Sequence, residues 1–559
     1  MAKNESSKSK AEIYREERKE RIAKANKKNA KSIEKRNTAA RIAKKVLAVV
    51  VVAAIVLGIA GYLADSFGVI EKATTAMKVG NDKISTAEFA YYYNAQYQQM
   101  SYMANYYAQS GYNIGFDSSK SPDDPTNTTT DADGNKITWA QYFTDSAVER
   151  AQFIDAYYNE AVKNDFKLSE DDEKEISETI ENYRKQAAEN NFSLGAYLRA
   201  SFGEGFNEKT FKKQLEKETL AQNYYNDQQS AFTAGVKDED VEAEYKANTK
   251  NYNYADVRYF AFTYTTLSAA DGETEDELKA RQTAANDELL AKAKEVFAKV
   301  KDEDSFIEAV KAYKSEGSDT PSDTDSTTLS KHIRYSAASS SLTEKGADWL
   351  FDAARKAGDA TLIEGEKAAY IVLCVKPSYT SNSVNVRHCL IKFEAADEDN
   401  VTDEEKKATY DKAKELYDSW LAGDKTEESF KTLVTSNSED TGSVENGGLY
   451  ENIRISDSYV TEFLDWSFAD GRKAGDSGII ETTYGYHIMY FVSDNTDDLD
   501  WKNTIRTEKG ETAFNEYNDN LLAEDGDYKI TENKTWTSYV NKDFCKKIKK
   551  SLAYSSSSK

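Results

Sequence analysis

"DWSFADGRKAGDSGIIETTYGYHIMYFV", residues 465–492, has a counterpart earlier in the same chain. Residues 348–375 read "DWLFDAARKAGDATLIEGEKAAYIVLCV" and align with it without a gap at an offset of 117, with 12 of 28 positions identical. Both stretches share "RKAGD" and end in an apolar and aromatic run that is typical of a β-strand. The chain of 559 residues therefore contains an internal repeat.

The repeat extends upstream of these two stretches. "DVRYFAF" (256–262) matches "NVRHCLI" (385–391), and "DSFIEAV" (304–310) matches "ESFKTLV" (428–434). Each copy thus runs strand, long helix, second helix, connecting segment and final strand, which predicts two tandem αβ modules. The predicted modules are 251–380, with a loop insertion at 315–330, and 381–495.

The two copies differ at their histidines, of which the whole chain has three. His388 and His487 lie at the start of strand-like runs in the second copy, where the first copy has Tyr259 and Tyr370. A packing histidine can be lost alone, whereas a paired replacement indicates that the two residues serve one site. We therefore expect a polar site in the second module and only architecture in the first. The third histidine, His332, has no evident partner and is expected on the surface or in a loop.

The second module resembles the parvulin-type peptidyl-prolyl cis-trans isomerases. Within residues 383–494, five motifs occur in the order that this family shows, namely "RHCLIKF", "EESFKTLVTSNSED", "NGGLYENI", "FLDWSF" and "GDSGIIETTYGYHIMYFV". The resemblance implies an α+β fold and an enzyme that rotates X–Pro peptide bonds without a cofactor. "KFEAADED" follows the first strand where the phospho-specific branch of the family has basic residues, so selectivity for phosphoserine-proline is not expected.

The same resemblance implies which residues form the site. The polar residues would be His388, Asp440, Thr482 and His487, and the apolar proline pocket would be Leu449, Tyr459 and Phe463. Tyr459 stands where the family usually has Met. Two alternatives stay open for the histidines: they could ligate zinc together with Asp440, or they could be structural residues of an inactive fold. Because no further ligand at a fixed spacing is evident, we predict no metal.

The N-terminal part of the sequence predicts a membrane anchor. Residues 1–45 carry 16 Lys+Arg against 6 Glu, and residues 46–64, "VLAVVVVAAIVLGIAGYLA", carry no charge. As a helix these nineteen residues would span about 28 Å, close to the thickness of a hydrocarbon core. A buried helix is the alternative. The basic flank predicts a cytoplasmic N-terminus, so we expect a single-pass protein of the cell membrane with an extracytoplasmic body.

Residues 65–250 are predicted as a mostly helical domain, with helical periodicity from Trp139 to about Asn248 and a long exposed loop at 110–136. Their segment "VGNDKISTAEFAYYYN" is similar to the helical chaperone domain of foldases of the PrsA and SurA type, which implies that this region holds unfolded or newly exported polypeptides. Ser85 and Glu88 have the spacing of a capping box at the start of a helix. Residues 496–559 are predicted as a C-terminal helix and tail, with residues 501–524 packing back on the helical region.

The amino-acid composition limits which classes of binding partner are expected. The net charge is −24, and since residues 1–45 contribute +10, the remainder is strongly acidic, which disfavours nucleic acid. The three cysteines form no CxxC pair and predict no disulfide framework. The membrane and exported polypeptides are the expected partners, and a homodimer is left open. Two function classes compete: an isomerase that also holds clients, and a holdase that uses the parvulin fold only as a binding scaffold.

Overall fold

The computed structural model describes residues 69–316, 324–394 and 401–557. The predicted basic segment and the apolar run at 46–64 lie outside these residues. Among the helices of the described part, none combines the length and the apolarity that a membrane crossing needs. The described chain divides into two compact units, one of residues 237–507 and the other of residues 69–236 together with 508–557.

Residues 69–236 are mostly helical and contain only short strands. Its elements are α1 (Val69–Ala73), β1 (Thr75–Val79), β2 (Asp82–Ser85), α2 (Thr86–Gln109), β3 (Thr128–Thr130), β4 (Lys136–Thr138), α3 (Trp139–Lys163), α4 (Glu170–Glu189), α5 (Leu194–Phe202) and α6 (Glu208–Ala234). The Ser85 hydroxyl accepts the Glu88 backbone N–H at 3.1 Å and so begins α2 at the predicted place. Tyr92, Tyr93 and Tyr157 are fully buried, so tyrosine builds much of this core.

Residues 237–499 contain α7 (Asp238–Tyr252) followed by two sheets of the same topology. The first copy consists of β5 (Tyr254–Thr263), α8 (Glu275–Phe297), α9 (Glu303–Lys314), β6 (Thr328–Arg334), α10 (Tyr335–Leu342), α11 (Glu344–Leu350), β7 (Ala360–Glu364) and β8 (Ala368–Tyr379). The second consists of β9 (Asn382–Lys392), α12 (Asp403–Leu421), α13 (Glu427–Asn437), a 3₁₀ turn (Val444–Asn446), β10 (Leu449–Ile453), α14 (Thr461–Ser467), β11 (Ser477–Thr482) and β12 (Gly485–Leu499). The strand orders are β6-β5-β8-β7 and β10-β9-β12-β11, all antiparallel. The predicted mixed α+β architecture is confirmed.

The chain ends in α15 (Asp500–Leu522), β13 (Ile530–Glu532) and α16 (Lys534–Ser557). Phe514 packs edge-to-face against Tyr225 and Phe232 of α6, with ring centroids 4.9 and 5.7 Å apart, and β13 pairs with β1. The predicted packing of residues 501–524 on the helical region is confirmed. The prediction of a tail after that helix is wrong, because α16 is a further helix of 24 residues whose Phe544 packs on Tyr93.

Strand register supports the alignment of the two copies. In the second sheet His388 lies opposite Met489, and in the first sheet Tyr259 lies opposite Val372. His487 lies two residues before Met489 on β12, and Tyr370 lies two residues before Val372 on β8. Both pairs therefore occupy the same places in their sheets.

The shared "RKAGD" segment has the same structural task in both copies. The Arg472 guanidinium lies 4.0 Å from the ring centre of Trp466 and donates to its carbonyl at 3.0 Å. Arg355 lies 3.9 Å from Trp349 and donates to that carbonyl at 2.9 Å. Because Arg stacks well on indole while using its N–H groups, the motif fixes the connection into the last two strands.

The sheet of the second copy is packed on both faces. Val386, Met489 and Phe491 point to the face covered by α14, whereas Cys389 and Ile488 point to the face covered by α12 and α13. The alternation follows from the two-residue period of a strand. His388 and His487 belong to the face of α14.

His332 contradicts its prediction as a surface or loop residue. It lies in β6 with a positive φ of 53°, and its side chain is 15% exposed. Its Nδ1 lies 2.6 Å from the hydroxyl of Tyr379, and its backbone N–H donates to Asp256 at 2.8 Å. Both partners are remote in sequence, so the sequence pattern around His332 could not indicate them.

The "NGGLY" turn generates a prediction about stability. Gly448 has a φ of +72°, and a Cβ at this position would overlap the backbone carbonyl oxygen of His388 on β9. Gly471 has a similar φ of +79° but open space around it. Replacing either by Ala incurs the cost of a left-handed backbone, about 1–2 kcal/mol, but only Gly448→Ala must also displace β10.

We therefore expect Gly448→Ala to lower the free energy of unfolding by about 2 kcal/mol more than Gly471→Ala does. Denaturant unfolding of the two variants beside the unmodified chain measures this difference. Equal losses would show that β10 does not approach β9 as closely as described.

Candidate functional site

The two histidines of the second module meet on one face of its sheet. His388 on β9 lies opposite Met489, and His487 on β12 lies opposite Leu390. The two histidines are therefore diagonal neighbours on the same face. Their Nδ1 atoms are 2.8 Å apart, and both side chains are almost fully buried. The expectation that they serve one place in the structure therefore agrees with the geometry.

The other two predicted polar residues lie at the two ends of this pair. Thr482 Oγ1 is 2.9 Å from His487 Nε2, and Asp440 Oδ2 is 2.9 Å from His388 Nε2. The four side chains thus form one hydrogen-bonded row, which we call the relay: Thr482, His487, His388 and Asp440. The structure brings together all four residues that the sequence singled out.

The positions of the protons in the relay follow from the negative charge of Asp440 at its end. Burial would raise the pKa of Asp440, but hydrogen bonds from His388 and Ser443 hold it well below its ordinary range, so this carboxylate is ionised. It accepts from His388 Nε2–H. The unprotonated His388 Nδ1 then accepts from His487 Nδ1–H, and His487 Nε2 accepts from the Thr482 hydroxyl. In this arrangement every polar group of the relay has a hydrogen-bond partner.

Electrostatics agree with a neutral His487. Burial, followed by the nearby His388, holds the pKa of His487 well below its ordinary value. A positive charge on this ring would have no carboxylate in direct contact, because Asp440 bonds to the other histidine. The inner ring of the relay therefore stays uncharged near neutral pH.

Local backbone structure places the two ends of the relay. Thr482 ends β11, and its Oγ1 accepts the backbone N–H of Tyr484 at 3.2 Å, which closes the turn into β12. Asp440 follows α13, where its Oδ1 accepts the Gly442 N–H at 3.1 Å. The preceding Glu439 N–H donates to the Leu390 carbonyl at 2.8 Å and ties this loop to β9.

Two residues of the site were missed in the sequence. The Ser443 hydroxyl donates to Asp440 and lies 3.3 Å from His388 Nε2. The Tyr450 hydroxyl donates to Asp440 Oδ2 at 3.0 Å, and burial together with Asp440 raises the pKa of this phenol, so it stays a donor. Tyr450 directly follows the Gly-Gly-Leu turn, and that adjacency was the one available signal.

Aromatic rings line the space beside the histidines. Phe463 of α14 sets its ring against His388 and His487, with centroids 5.7 and 6.2 Å apart. Tyr459 lies 5.3 Å from Phe463, and Tyr450 lies 5.5 Å from Tyr459. Phe463 is 3% exposed and the two tyrosines are half-buried, so these rings form an apolar wall that ends at the relay.

Leu449, predicted as the third pocket residue, does not join this wall. It lies opposite Arg387 in the β10–β9 pairing, and the Arg387 side chain turns to Glu427 of α13 at 2.8 Å. Residues directly opposite each other in an antiparallel pair share a face, so Leu449 lies on the face away from the histidines and Tyr450 takes its place. A one-residue difference in register is enough to exchange the two faces.

The first module does not reproduce the site. The same offset of 117 puts Gly365 at the position of Thr482 and Gly346 at the position of Phe463. A Cβ on Gly365 would lie 3.4 Å from the Tyr370 ring, so the larger aromatic residue occupies the space that a threonine side chain needs. This module has neither the imidazole pair nor the aromatic wall.

The relay is poorly suited to a metal ion. All four ring nitrogens of His388 and His487 already face hydrogen-bond partners, and their Nδ1 atoms face each other. Within the described ranges, no group of three or more His, Cys, Asp or Glu side chains could hold a metal ion. What the arrangement offers is a dry aromatic wall next to a fixed set of dipoles and one carboxylate.

Comparison with known proteins identifies a domain within the chain. Residues 369–496 match the family described as the PPIC-type PPIASE domain. Among solved structures, the chain is similar to the peptidylprolyl isomerase PrsA from Bacillus anthracis, with 15% identity, 58% of this chain and 96% of that chain covered, and a TM-score of 0.18. PrsA from Bacillus subtilis is 12% identical, with 75% of this chain and 91% of that chain covered and a TM-score of 0.23. The foldase protein PrsA from Streptococcus pneumoniae is 13% identical, with 75% of this chain and 92% of that chain covered and a TM-score of 0.22. No curated protein matches the chain.

The identification depends on the family match, because the solved structures are below 25% identical and their TM-scores are below 0.5. The matched residues include strands β9 to β11, most of β12 and the whole relay. The predicted enzyme class is confirmed: the chain contains a PPIC-type, that is parvulin-type, domain and is a peptidyl-prolyl cis-trans isomerase.

Proposed function

We propose that the chain is a membrane-anchored extracytoplasmic foldase that isomerises X–Pro bonds in exported proteins and holds unfolded clients. One observation supports the catalytic part above all others. The relay and the wall of Tyr450, Tyr459 and Phe463 lie side by side within the residues matched to the isomerase family. The apolar run at 46–64 and its basic flank support the anchor.

The chemistry needs only a surface that favours the twisted amide. The X–Pro bond rotates slowly because partial double-bond character raises a barrier of about 18–20 kcal/mol. A catalyst lowers this barrier by binding the twisted form better than either planar form. The aromatic wall would hold the pyrrolidine ring and exclude water from the amide, which weakens its resonance.

The relay would supply the polar part of that preference. In the twisted amide the nitrogen becomes pyramidal and the carbonyl loses its conjugation, so the charge on the oxygen and the nitrogen changes. Fixed donors and acceptors next to the proline ring can favour that distribution without reorganising. Rotation of the amide needs no covalent intermediate, and Cys389 is not placed to form one, because it lies on the opposite face and burial raises its thiol pKa to about 12.

Replacing both imidazoles tests this assignment. We expect His388→Ala with His487→Ala to lower kcat/KM for a proline-containing peptide at least about tenfold, because the relay and its dipoles are lost together. A protease-coupled or fluorescence assay of peptide isomerisation on the full chain measures the effect.

The first module offers a matched control. Tyr259→Phe with Tyr370→Phe changes the aligned positions, and we expect it to leave the isomerisation rate unchanged. Activity that survives loss of both histidines would refute the catalytic assignment, and a rate that depends on the tyrosines would refute an inactive first module.

A non-catalytic holdase is the second candidate, favoured by an exposed aromatic surface. Tyr106, Tyr107 and Tyr112, at and beyond the end of α2, are 56%, 39% and 71% exposed. Exposed aromatic clusters are common at surfaces that bind other polypeptides. An unmodified chain without isomerase activity that still suppresses aggregation of an unfolded client would support this candidate.

The relay also predicts how stability depends on pH. The folded protein keeps His487 neutral because its pKa is lowered, whereas the unfolded chain takes up a proton as pH falls through about 6.5. Stability of the second module should therefore decrease below that pH, by up to about 1.4 kcal/mol per pH unit. Hydrogen exchange of the amides of residues 486–491 between pH 7.5 and 5.5 reports this local opening.

The matched variant is His487→Gln, which keeps a polar side chain but does not titrate. It should show a smaller loss of protection over this pH range than the unmodified chain. The same pH dependence in both proteins would mean that His487 is protonated in the folded state.

The anchor is tested by topology. Deleting residues 46–64 should move the chain from the membrane fraction to the soluble fraction, because this run would supply the only bilayer contact of the proposed topology. With the run intact, protease added outside the cell membrane should digest the body. A full-length chain in the soluble fraction would contradict the anchor.

A further inference from the structure

Helix α14 carries the aromatic wall on one side and a contact to the first module on the other. Phe463 packs against the two histidines, and Asp465, two residues later, meets residues of β6. The helix is only seven residues long, and no side chain caps its N-terminus. Short helices are marginal by themselves, so the position of α14 depends on what it contacts.

The contact from the first module consists of two neighbouring basic side chains. Lys331 Nζ donates to Asp465 Oδ2 at 2.8 Å, and His332 Nε2 lies 3.4 Å from Asp465 Oδ1. Burial would raise the pKa of Asp465, but the adjacent His332 and Lys331 lower it, so the carboxylate is ionised. The three side chains are between 15% and 38% exposed, which leaves this contact partly shielded from water.

The first module holds His332 in one orientation. The His332 backbone N–H and the Tyr379 hydroxyl both donate to Asp256 Oδ1, at 2.8 and 3.1 Å. Since Tyr379 uses its proton on Asp256, His332 Nδ1–H donates to the Tyr379 oxygen at 2.6 Å. The left-handed backbone of His332 shows that its surroundings fix it against an unfavourable φ of 53°. The fixed imidazole therefore places Nε2 beside Asp465 Oδ1 without a hydrogen bond, and the hydrogen bond of this contact comes from the neighbouring Lys331.

A cavity of about 620 Å³ lies between β6 and α14, lined by Leu329 and Ile333 on one side and by Thr461 and Leu464 on the other. Across this gap the side chains of Lys331 and His332 reach Asp465.

We propose that the first module, which lacks the relay, positions the proline pocket of the second module by holding α14 through the contact of Lys331 and His332 with Asp465. The proposal rests on the proposed role of Phe463 in binding proline. Lys331, His332 and Asp465 are positioning residues that touch no substrate. Without them α14 remains attached by Phe463 and Leu464, but its range of positions widens, and the wall then fits the proline ring less often.

The test changes only the first module and measures the second. In the full chain, Lys331→Met with His332→Gln should raise KM for a proline-containing peptide about three- to tenfold and leave kcat within about twofold, since the relay is untouched. Asp465→Asn should have the same effect. The triple variant should be no worse than either, because all three residues act through one contact.

Hydrogen exchange provides a readout that does not require activity. The amides of residues 461–467 should exchange faster in Lys331→Met with His332→Gln, whereas the amides of β12 should not change. The matched control is Asp470→Asn, which removes the ion pair of 2.9 Å between Lys376 and Asp470. This pair also joins the two modules but does not involve α14, so the variant should leave KM and the exchange of α14 unchanged.

The outcomes separate this proposal from the catalytic one. An active protein whose KM and α14 exchange are unaffected by the first-module variant would overturn the positioning role while leaving the isomerase site intact. A KM effect equal to that of Asp470→Asn would also overturn it, because any loosening between the modules would then suffice. An inactive protein whose α14 exchange still responds would keep the contact and remove the catalytic assignment.

Discussion

The antiparallel pairing of β9 with β12 is the constraint on which the site depends. It places His388 opposite Met489 and His487 opposite Leu390, so the two imidazoles point to the same face at diagonal positions. A slip of one residue would send one ring to the α13 side of the sheet and separate the relay. The apolar residues that alternate with the histidines prevent such a slip, because a shifted strand would bring Cys389 and Ile488 to the wrong core. Register and site are therefore fixed by the same hydrophobic pattern.

Comparison of the two modules separates residues that build the fold from residues that build the site. Arg258 and Arg387 occupy the same strand position, are almost fully buried, and each pairs at 2.8 Å with the glutamate that begins the second helix of its module, Glu303 of α9 and Glu427 of α13. The "RKAGD" segment likewise makes the same contacts in both copies. These identities maintain a shared framework. The differences include Thr482 and Phe463, which align with glycines in the first copy. The two copies therefore share a backbone framework but differ in the residues of the site.

The sequence predicted the tandem modules and the relay because both follow from local pattern and internal alignment. A histidine pair that changes as a pair can be recognised without coordinates. The exchange of Leu449 for Tyr450 in the pocket wall could not be recognised, because the face on which a residue lies changes with each step along the strand and the turn sets the starting point. His332 was misjudged for a different reason: its partners Tyr379 and Asp256 come from β8 and β5, and only the folded sheet brings them to β6.

The first module has the framework without the site. Because tyrosines stand at its two aligned positions, it has no relay, yet its sheet has the rigidity that buried alternating side chains provide. A rigid sheet is a better support for a seven-residue helix than a loop would be, because a charged contact is useful only if its partner is held in place. The strained backbone of His332 and its bond to Tyr379 supply that fixation. The missing relay of the first module and its proposed support of the second therefore do not conflict, since the support requires only the framework and not a second imidazole pair.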